Sequence, residues 1–91
     1  MSVKIKIPIT LQSLTQGETF IYTQPGNISD VCKGIGKNYP LLALKILDEG
    51  YSLKSGVLIF LEEKDNNHFL KKNEVVLDGQ KLVIVPSIAG G

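Results

Sequence analysis

A single cysteine, Cys32, and a single histidine, His68, are all that the 91 residues offer of the two side chains most used in nucleophilic and metal chemistry. One cysteine excludes an internal disulfide and any zinc site built from several thiolates. The two residues lie far apart with no motif linking them, so a nucleophile and base pair is a poor reading of them. Neither charge dominates. Ten basic residues against nine acidic ones leave a net charge of +1 and a pI near 7.8, short of the pI above about 9 that marks a nucleic-acid binder. Long apolar runs are also missing: Val57-Leu58-Ile59-Phe60-Leu61 is among the longest, where a membrane helix needs about 20 residues. The opening Met1-Ser2-Val3-Lys4-Ile5-Lys6 alternates apolar and charged residues and shows no basic patch followed by an apolar stretch. The expectation is a cytoplasmic protein with no membrane association and no direct contact with nucleic acid.

What is present is enough to fold. With 43% apolar and 21% charged residues the composition is close to the globular average. The length suits one small domain with a modest core and little room for a deep substrate cavity. Val3, Ile5 and Ile7 alternate with Lys4 and Lys6, the period of a strand with one wet face. Gln16-Gly17 supplies a turn into a second strand over Glu18 to Tyr22. Pro25-Gly26 breaks that strand, and Asn27 with Asp30 three residues later predicts a capped helix start. Ile28, Val31, Cys32 and Ile35 follow at helical spacing on one core-facing stripe, which makes Cys32 a packing residue. Pro40 closes this helix, and Leu41, Leu44 and Leu47 suggest a further helical turn.

Gly50 to Gly56 reads as a polar loop and Val57 to Leu61 as a central strand buried on both sides. The charged stretch Glu62 to His68 reads as a solvated tip with no metal site, followed by a stub of edge strand at Phe69-Leu70. Asp78-Gly79 turns the chain into a last strand, Lys81 to Val85, ended by Pro86. The order is that of an α+β roll, a β-grasp, in which a mixed sheet of four to five strands wraps one main helix. Residues 1–86 form this domain in our reading, and 87–91 a flexible Gly-Gly tail.

That tail is the most informative feature. Glycine makes up about 7% of residues, so a closing pair such as Gly90-Gly91 arises by chance in roughly one sequence in two hundred. A glycine pair has no side chains and wide φ/ψ freedom, so it can lie in a channel that any Cβ would block. Pro86 stops the strand just upstream, which leaves a lever on a rigid base.

The run from Leu77 through the Asp78-Gly79 turn, the strand Lys81 to Val85, Pro86 and Gly90-Gly91 resembles the ending of the ubiquitin-like sulfur carriers, among them the small subunit of molybdopterin synthase. Gly56 to Leu61 before an acidic turn is similar to the ubiquitin-related modifier branch of the same superfamily. Two features depart from the molybdopterin synthase pattern. Gln80 stands where an acidic residue is usual, and the Phe-Ala-rich segment common after the first strand is absent from Pro8 to Leu14. The resemblance implies that an ATP-dependent activating enzyme adenylates the Gly91 carboxylate, which is then converted to a thiocarboxylate. The chain itself would be no enzyme and would hold no cofactor, ATP being used by its partner. It further implies a sulfur-accepting partner, such as the large subunit of molybdopterin synthase or a tRNA-thiolating enzyme. Gly91 would carry the cargo, Gly90 would give slim access, and Ile88 and Ala89 would guide the tail. Docking also needs an apolar patch near the tail, for which Phe60, Leu82 and Ile84 are the candidates. Two alternatives stand beside this reading: a protein modifier joined to lysines through Gly91, and a plain β-grasp module that binds through its sheet.

Overall fold

A computed structural model describes residues 2–86. Strand β1 (Val3–Lys6) leads through a 3-10 helix (Ile9–Thr15) into β2 (Phe20–Thr23). The hairpin turn works because Gln16 and Gly17 both adopt positive φ, 57° and 82°. Inside the connection, Thr15 is buried and its hydroxyl donates to the Gln12 and Glu18 carbonyls.

A two-residue strand β3 (Gly26–Asn27) then runs into helix α1 (Ile28–Asn38). The cap is reciprocal: the Asp30 N–H donates to Asn27 Oδ1 at 2.9 Å, and the Asn27 N–H donates to Asp30 Oδ2 at 3.2 Å. Gly26 makes this possible, with φ at 144° and Asp30 Oδ2 only 2.6 Å from where a Cβ would stand. Val31, Cys32 and Ile35 are fully buried along the inner face of α1, while Ile28 is half-buried beside them. Burial, with a smaller contribution from Asp48, pushes the Cys32 thiol up to about 11, so it stays protonated and inert in the core.

Helix α2 (Pro40–Ile46) starts on its proline. Its core contacts are not the expected Leu41, Leu44 and Leu47 stripe. Leu42 and Ile46, one helical turn apart, are the buried pair, whereas Leu41 and Leu44 are 60% and 73% exposed. Leu47 is buried only because the chain has already left the helix there, with ψ at 149°.

Four strands follow: β4 (Leu58–Glu62), β5 (His68–Phe69), β6 (Val75–Val76) and β7 (Lys81–Val85). The main sheet has the order β2-β1-β7-β4-β5, and β3 pairs with β6 in a separate two-stranded sheet. β1 and β7 are parallel and every other pairing is antiparallel. Strand β7 is therefore the centre of the sheet, and β4 lies next to the edge strand β5. β4 is not buried on both sides as its apolar run suggested. Its residues alternate, Ile59 and Leu61 inward, Leu58, Phe60 and Glu62 outward. Apolar identity on the outer side reflects a hydrophobic surface rather than a second covering layer.

The buried main-sheet residues that face the helices are apolar or small, Val3, Ile5, Ile21, Thr23, Ile59, Leu61, Leu82 and Ile84, and only at the β5 margin does a polar side chain, His68, share that side. This single-faced core under one principal helix is the β-grasp architecture. Because Leu82 and Val83 are neighbours on opposite faces of one strand, they separate the two faces energetically. Leu82→Ala should lower stability by about 2–5 kcal/mol in denaturant unfolding, the usual cost of emptying a buried leucine site. Val83→Ala should cost less than about 1.5 kcal/mol.

Candidate functional site

The face of the main sheet turned away from the helices is built by strand alternation. Successive strands contribute Phe20 and Tyr22, Lys4 and Lys6, Lys81, Val83 and Val85, Leu58, Phe60 and Glu62, then Phe69. Pairing places these in rows. One row runs Phe20, Lys6, Val83, Phe60, Phe69, and its neighbour runs Tyr22, Lys4, Lys81, Glu62.

The face is chemically divided. Near β1 and β2 it is basic and aromatic, with the Lys4 ammonium 4.2 Å and the Lys81 ammonium 5.5 Å from the Phe20 ring centroid. Lys81 also pairs with Glu62 at 2.7 Å across the β7 to β4 ladder, a bond that holds the Glu62 carboxyl below its ordinary range. Over β7, β4 and β5 the face turns apolar. Phe60 and Phe69 meet edge to face with ring centroids 5.1 Å apart. Val83 stands opposite Phe60 and Val85 opposite Leu58. Leu58 and Phe69 are 47% and 49% exposed, which is far from core values for large apolar side chains. Val85 is followed directly by Pro86, so the patch lies at the end of the strand that leads to residue 87.

Two of the three docking candidates named from sequence belong elsewhere. Leu82 and Ile84 are 0% and 1% exposed and belong to the core cluster on the other face of the sheet. Phe60 alone lies on the exposed face, half-buried by Phe69. The error is one residue of register phase along β7, which swaps every side chain to the other face. Val83, Val85, Leu58 and Phe69 are the residues that sequence reasoning missed. Phe69 was legible only as a stub, since a two-residue strand has no period to read. Ile88, Ala89, Gly90 and Gly91, the tail residues named above, lie outside the described residues.

Phe69 is held in place by its own loop. His68 beside it donates from Nε2 to Glu74 Oε2 at 2.6 Å and from Nδ1 to the Asn66 carbonyl at 3.2 Å. With both ring nitrogens donating, the imidazolium is favoured, and the Glu74 contact raises the His68 pKa above its ordinary 6.5. The Lys71 N–H donates to the other Glu74 oxygen at 3.1 Å. That bond first, and His68 second, lower the Glu74 pKa. The loop from Asn66 to Glu74 thus closes on an ion pair behind the aromatic edge. Among the described residues no group of His, Cys, Asp and Glu converges as metal ligands would, and no helix is long and apolar enough to cross a membrane.

No protein-family model and no curated protein matches the chain. Solved structures do. The solution structure of small archaeal modifier protein 1 from Methanosarcina acetivorans is 26% identical, with 99% of this chain and 96% of that one covered at a TM-score of 0.74. SAMP1 from Haloferax volcanii covers all of both chains at 16% identity and a TM-score of 0.77. The BexX/CysO complex of Amycolatopsis orientalis contributes a chain that is 20% identical, with 98% and 99% coverage and a TM-score of 0.74. The ubiquitin-like β-grasp fold is therefore shown, and it is the fold that the resemblance to the ubiquitin-like sulfur carriers implied.

The His68 to Glu74 pair gives a pH signature. A raised His68 pKa stabilises the fold fully below pH 6.5 and ceases to do so as pH rises through the folded-state value. The lowered Glu74 pKa acts oppositely, stabilising above pH 4.5 and failing as pH falls through its folded-state value. Both contributions are complete between these limits. Denaturant unfolding of the wild type should lose stability relative to His68→Gln as pH climbs from about 6 to about 8, a range that ends below the ordinary 9.0 of the Cys32 thiol, whose burial affects both proteins alike. Equal pH slopes for the two proteins would contradict the pair.

Proposed function

We propose that this protein is a ubiquitin-like carrier whose Gly91 carboxylate is adenylated by an ATP-dependent activating enzyme and converted to a thiocarboxylate that donates sulfur. The observation that carries the reading is the coincidence of an exposed apolar patch, Val83, Val85, Leu58, Phe60 and Phe69, with the strand end from which the chain proceeds toward Gly90-Gly91. Similarity over nearly the full chain to a small archaeal modifier supports the general class.

The chemistry follows from the terminus. A carboxylate is a poor acyl donor because its charge is delocalised and oxide is a poor leaving group. Adenylation by ATP, with pyrophosphate leaving, turns that oxide into part of an AMP leaving group. The terminal sulfur of a partner cysteine persulfide attacks the acyl carbon and AMP departs. A second thiolate of the partner then attacks the cysteine sulfur, leaving a disulfide on the partner and the thiocarboxylate on Gly91. Every catalytic group in this sequence belongs to the partner. The small protein supplies recognition and reach: the patch docks, and glycines at 90 and 91 can enter a channel closed to larger residues. Either molybdopterin synthesis or tRNA thiolation would accept such sulfur. The CysO chain among the similar structures was solved in complex with BexX, which supports a body of this shape working through a partner protein.

A second reading, a modifier joined to lysines through Gly91, uses the same terminus and patch, and the name of the small archaeal modifier favours keeping it. Intact mass separates the two. After incubation with the host's activating enzyme, ATP and a sulfide source, the proposal expects the gain of one oxygen-to-sulfur exchange on the unconjugated protein, lost in Gly91→Ala. Higher-mass bands in host lysate that vanish without Gly90-Gly91 would mark conjugation instead.

Docking is tested separately. Val83→Asp places a charge in the centre of the patch while leaving Leu82 and Ile84 in the core. It should weaken binding to the activating or accepting enzyme at least about tenfold, the equivalent of 1.4 kcal/mol, with the native circular dichroism spectrum retained. Unchanged affinity in that variant would remove the patch from the account.

A further inference from the structure

The opposite margin of the main sheet has a different character. Strand β2 pairs with β1 on one side only. The Ile7 N–H donates to the Thr19 carbonyl at 2.7 Å, and the Lys4 N–H turns the other way, to the Gln80 carbonyl at 3.1 Å. With the observed register, Lys6 opposite Phe20 and Lys4 opposite Tyr22, these two bonds fix the phase of the ladder. Thr19, Ile21 and Thr23 are the residues that bond β1, and the backbone groups of Phe20 and Tyr22 point outward. Among the described residues none offers those groups a partner.

Natural sheets blunt such an edge with lysine, proline, a bulge, extreme shortness or a covering element. The far edge follows that rule, because β5 has two residues and is followed by Lys71-Lys72. β2 does not. Phe20-Ile21-Tyr22-Thr23 contains only residues with high strand propensity, no charge and no proline. Beside it runs an open groove of about 560 Å³, whose apolar wall is made by Leu14, Phe20, Tyr22, Tyr39, Pro40 and Leu41. Tyr22 and Leu41 are 52% and 60% exposed.

We infer that the β2 edge receives an extended peptide segment of a partner protein, added to the main sheet as a sixth strand. The occupant is specified by what the edge presents. Two outward N–H groups and two outward carbonyls, spaced two residues apart, match the backbone of a strand and no other common element. An added strand sends alternate side chains to opposite faces. Those on the helix side meet Leu14, Tyr39 and Leu41, which select apolar residues. Those on the other side stand beyond Phe20 and Tyr22, on the part of the face that carries Lys4 and Lys6, with the single carboxylate of Glu18 at the groove's margin; the two lysines outnumber it, which favours acidic residues by charge complementarity. β2 is separated from β7 by β1, so this site stands apart from the patch and from the proposed role of Gly91.

The test uses the intact protein and a synthetic acetylated and amidated peptide, Asp-Val-Glu-Ile-Glu-Val-Asp, whose alternation matches the two faces. Titration followed by amide NMR should shift β2 resonances and raise the hydrogen-exchange protection of the Phe20 and Tyr22 amides at least about tenfold, with Ile21 and Thr23 little changed. Tyr22→Pro removes one outward donor without touching the β1 ladder. It should weaken the peptide at least about tenfold, while Tyr22→Phe, which keeps the amide, should bind within about twofold. Should the proline variant fail to fold, peptides N-methylated in the two alternate phases decide the matter on the wild-type chain: one phase must abolish binding and the other must retain it. Equal effects of both phases, protection elsewhere, or no binding at millimolar peptide would overturn the inference. So would protection of Phe20 and Tyr22 that rises with protein concentration alone, since the occupant would then be a second copy of this chain.

Discussion

Everything in the sheet depends on the parallel pairing of β1 with β7, which joins the two ends of the described chain. Lys4 stands beside Lys81 and Ile5 beside Leu82. The pairing is reinforced at its start, where the Ser2 N–H donates to Asp78 Oδ1 at 2.7 Å and the Gly79 N–H donates to the Ser2 carbonyl at 2.9 Å. Gly79, at φ 86°, supplies the left-handed position that this turn needs. Gln80 then locks it: its side-chain carbonyl accepts from the Leu77 N–H at 2.7 Å, and its own N–H donates to the Leu77 carbonyl at 3.2 Å. The departure from an acidic residue at Gln80 therefore preserves a hydrogen-bond acceptor, which the turn uses. Contacts this distant in sequence are costly to close, so the hairpins on either side must already support β1 and β7 when they meet.

Putting the last strand in the middle has a functional consequence. β7 is covered by neighbours on both edges and by the helices on one face, so its direction is fixed by the whole core. Its outer side chains, Lys81, Val83 and Val85, run from a basic start to an apolar end. The face is graded accordingly, with Glu62 and Lys81 paired at the start, Phe60 beside Val83 in the middle and Leu58 beside Val85 at the far end. An acidic, apolar-centred partner surface would find one orientation on such a face, because rotating it would set carboxylates against Phe60 and Phe69. On the proposed function, orientation matters more than affinity, because one end of the chain has to reach a reacting centre.

Much of this was legible in the residues themselves where local chemistry is strong. Asn27 with Asp30 marked the helix start, since a capping box satisfies its own donors whatever surrounds it. The alternation of Val3, Ile5 and Ile7, and the turn at Asp78-Gly79 before β7, are equally local. Failures came where tertiary contacts decide. In α2, three leucines at helical spacing suggested the core stripe, but the helix is only seven residues long and its rotation is set by contact with α1 and the 3-10 helix. In β7, five apolar or amphipathic residues in a row gave no sign of which face was wet. The pair β3 and β6 left no trace, because two residues cannot display a period and Gly26 is a strand breaker by composition. Burial phase and short non-local pairings are the information that a single sequence hides.

The same limits explain why the site divides into parts of unequal legibility. The terminal chemistry of the proposed function rests on Gly90-Gly91, a pair that stands out in the sequence because side-chain-free residues are rare. Recognition spread over a sheet face is invisible until register is known. The five side chains of the patch are far fewer than the roughly 20–30 residues a side of an ordinary stable complex. On the proposed reading no more are needed. Once the patch is seated, a partner channel within reach of residue 91 meets the glycines at the effective concentration of a short tether, in the millimolar range. Weak docking and weak tail capture then multiply, and either can be released after transfer. A carrier that must leave its activating enzyme for an acceptor is better served by two weak contacts than by one strong one. The modest size of the apolar patch is therefore in keeping with a role in exchange between partners and argues against permanent assembly.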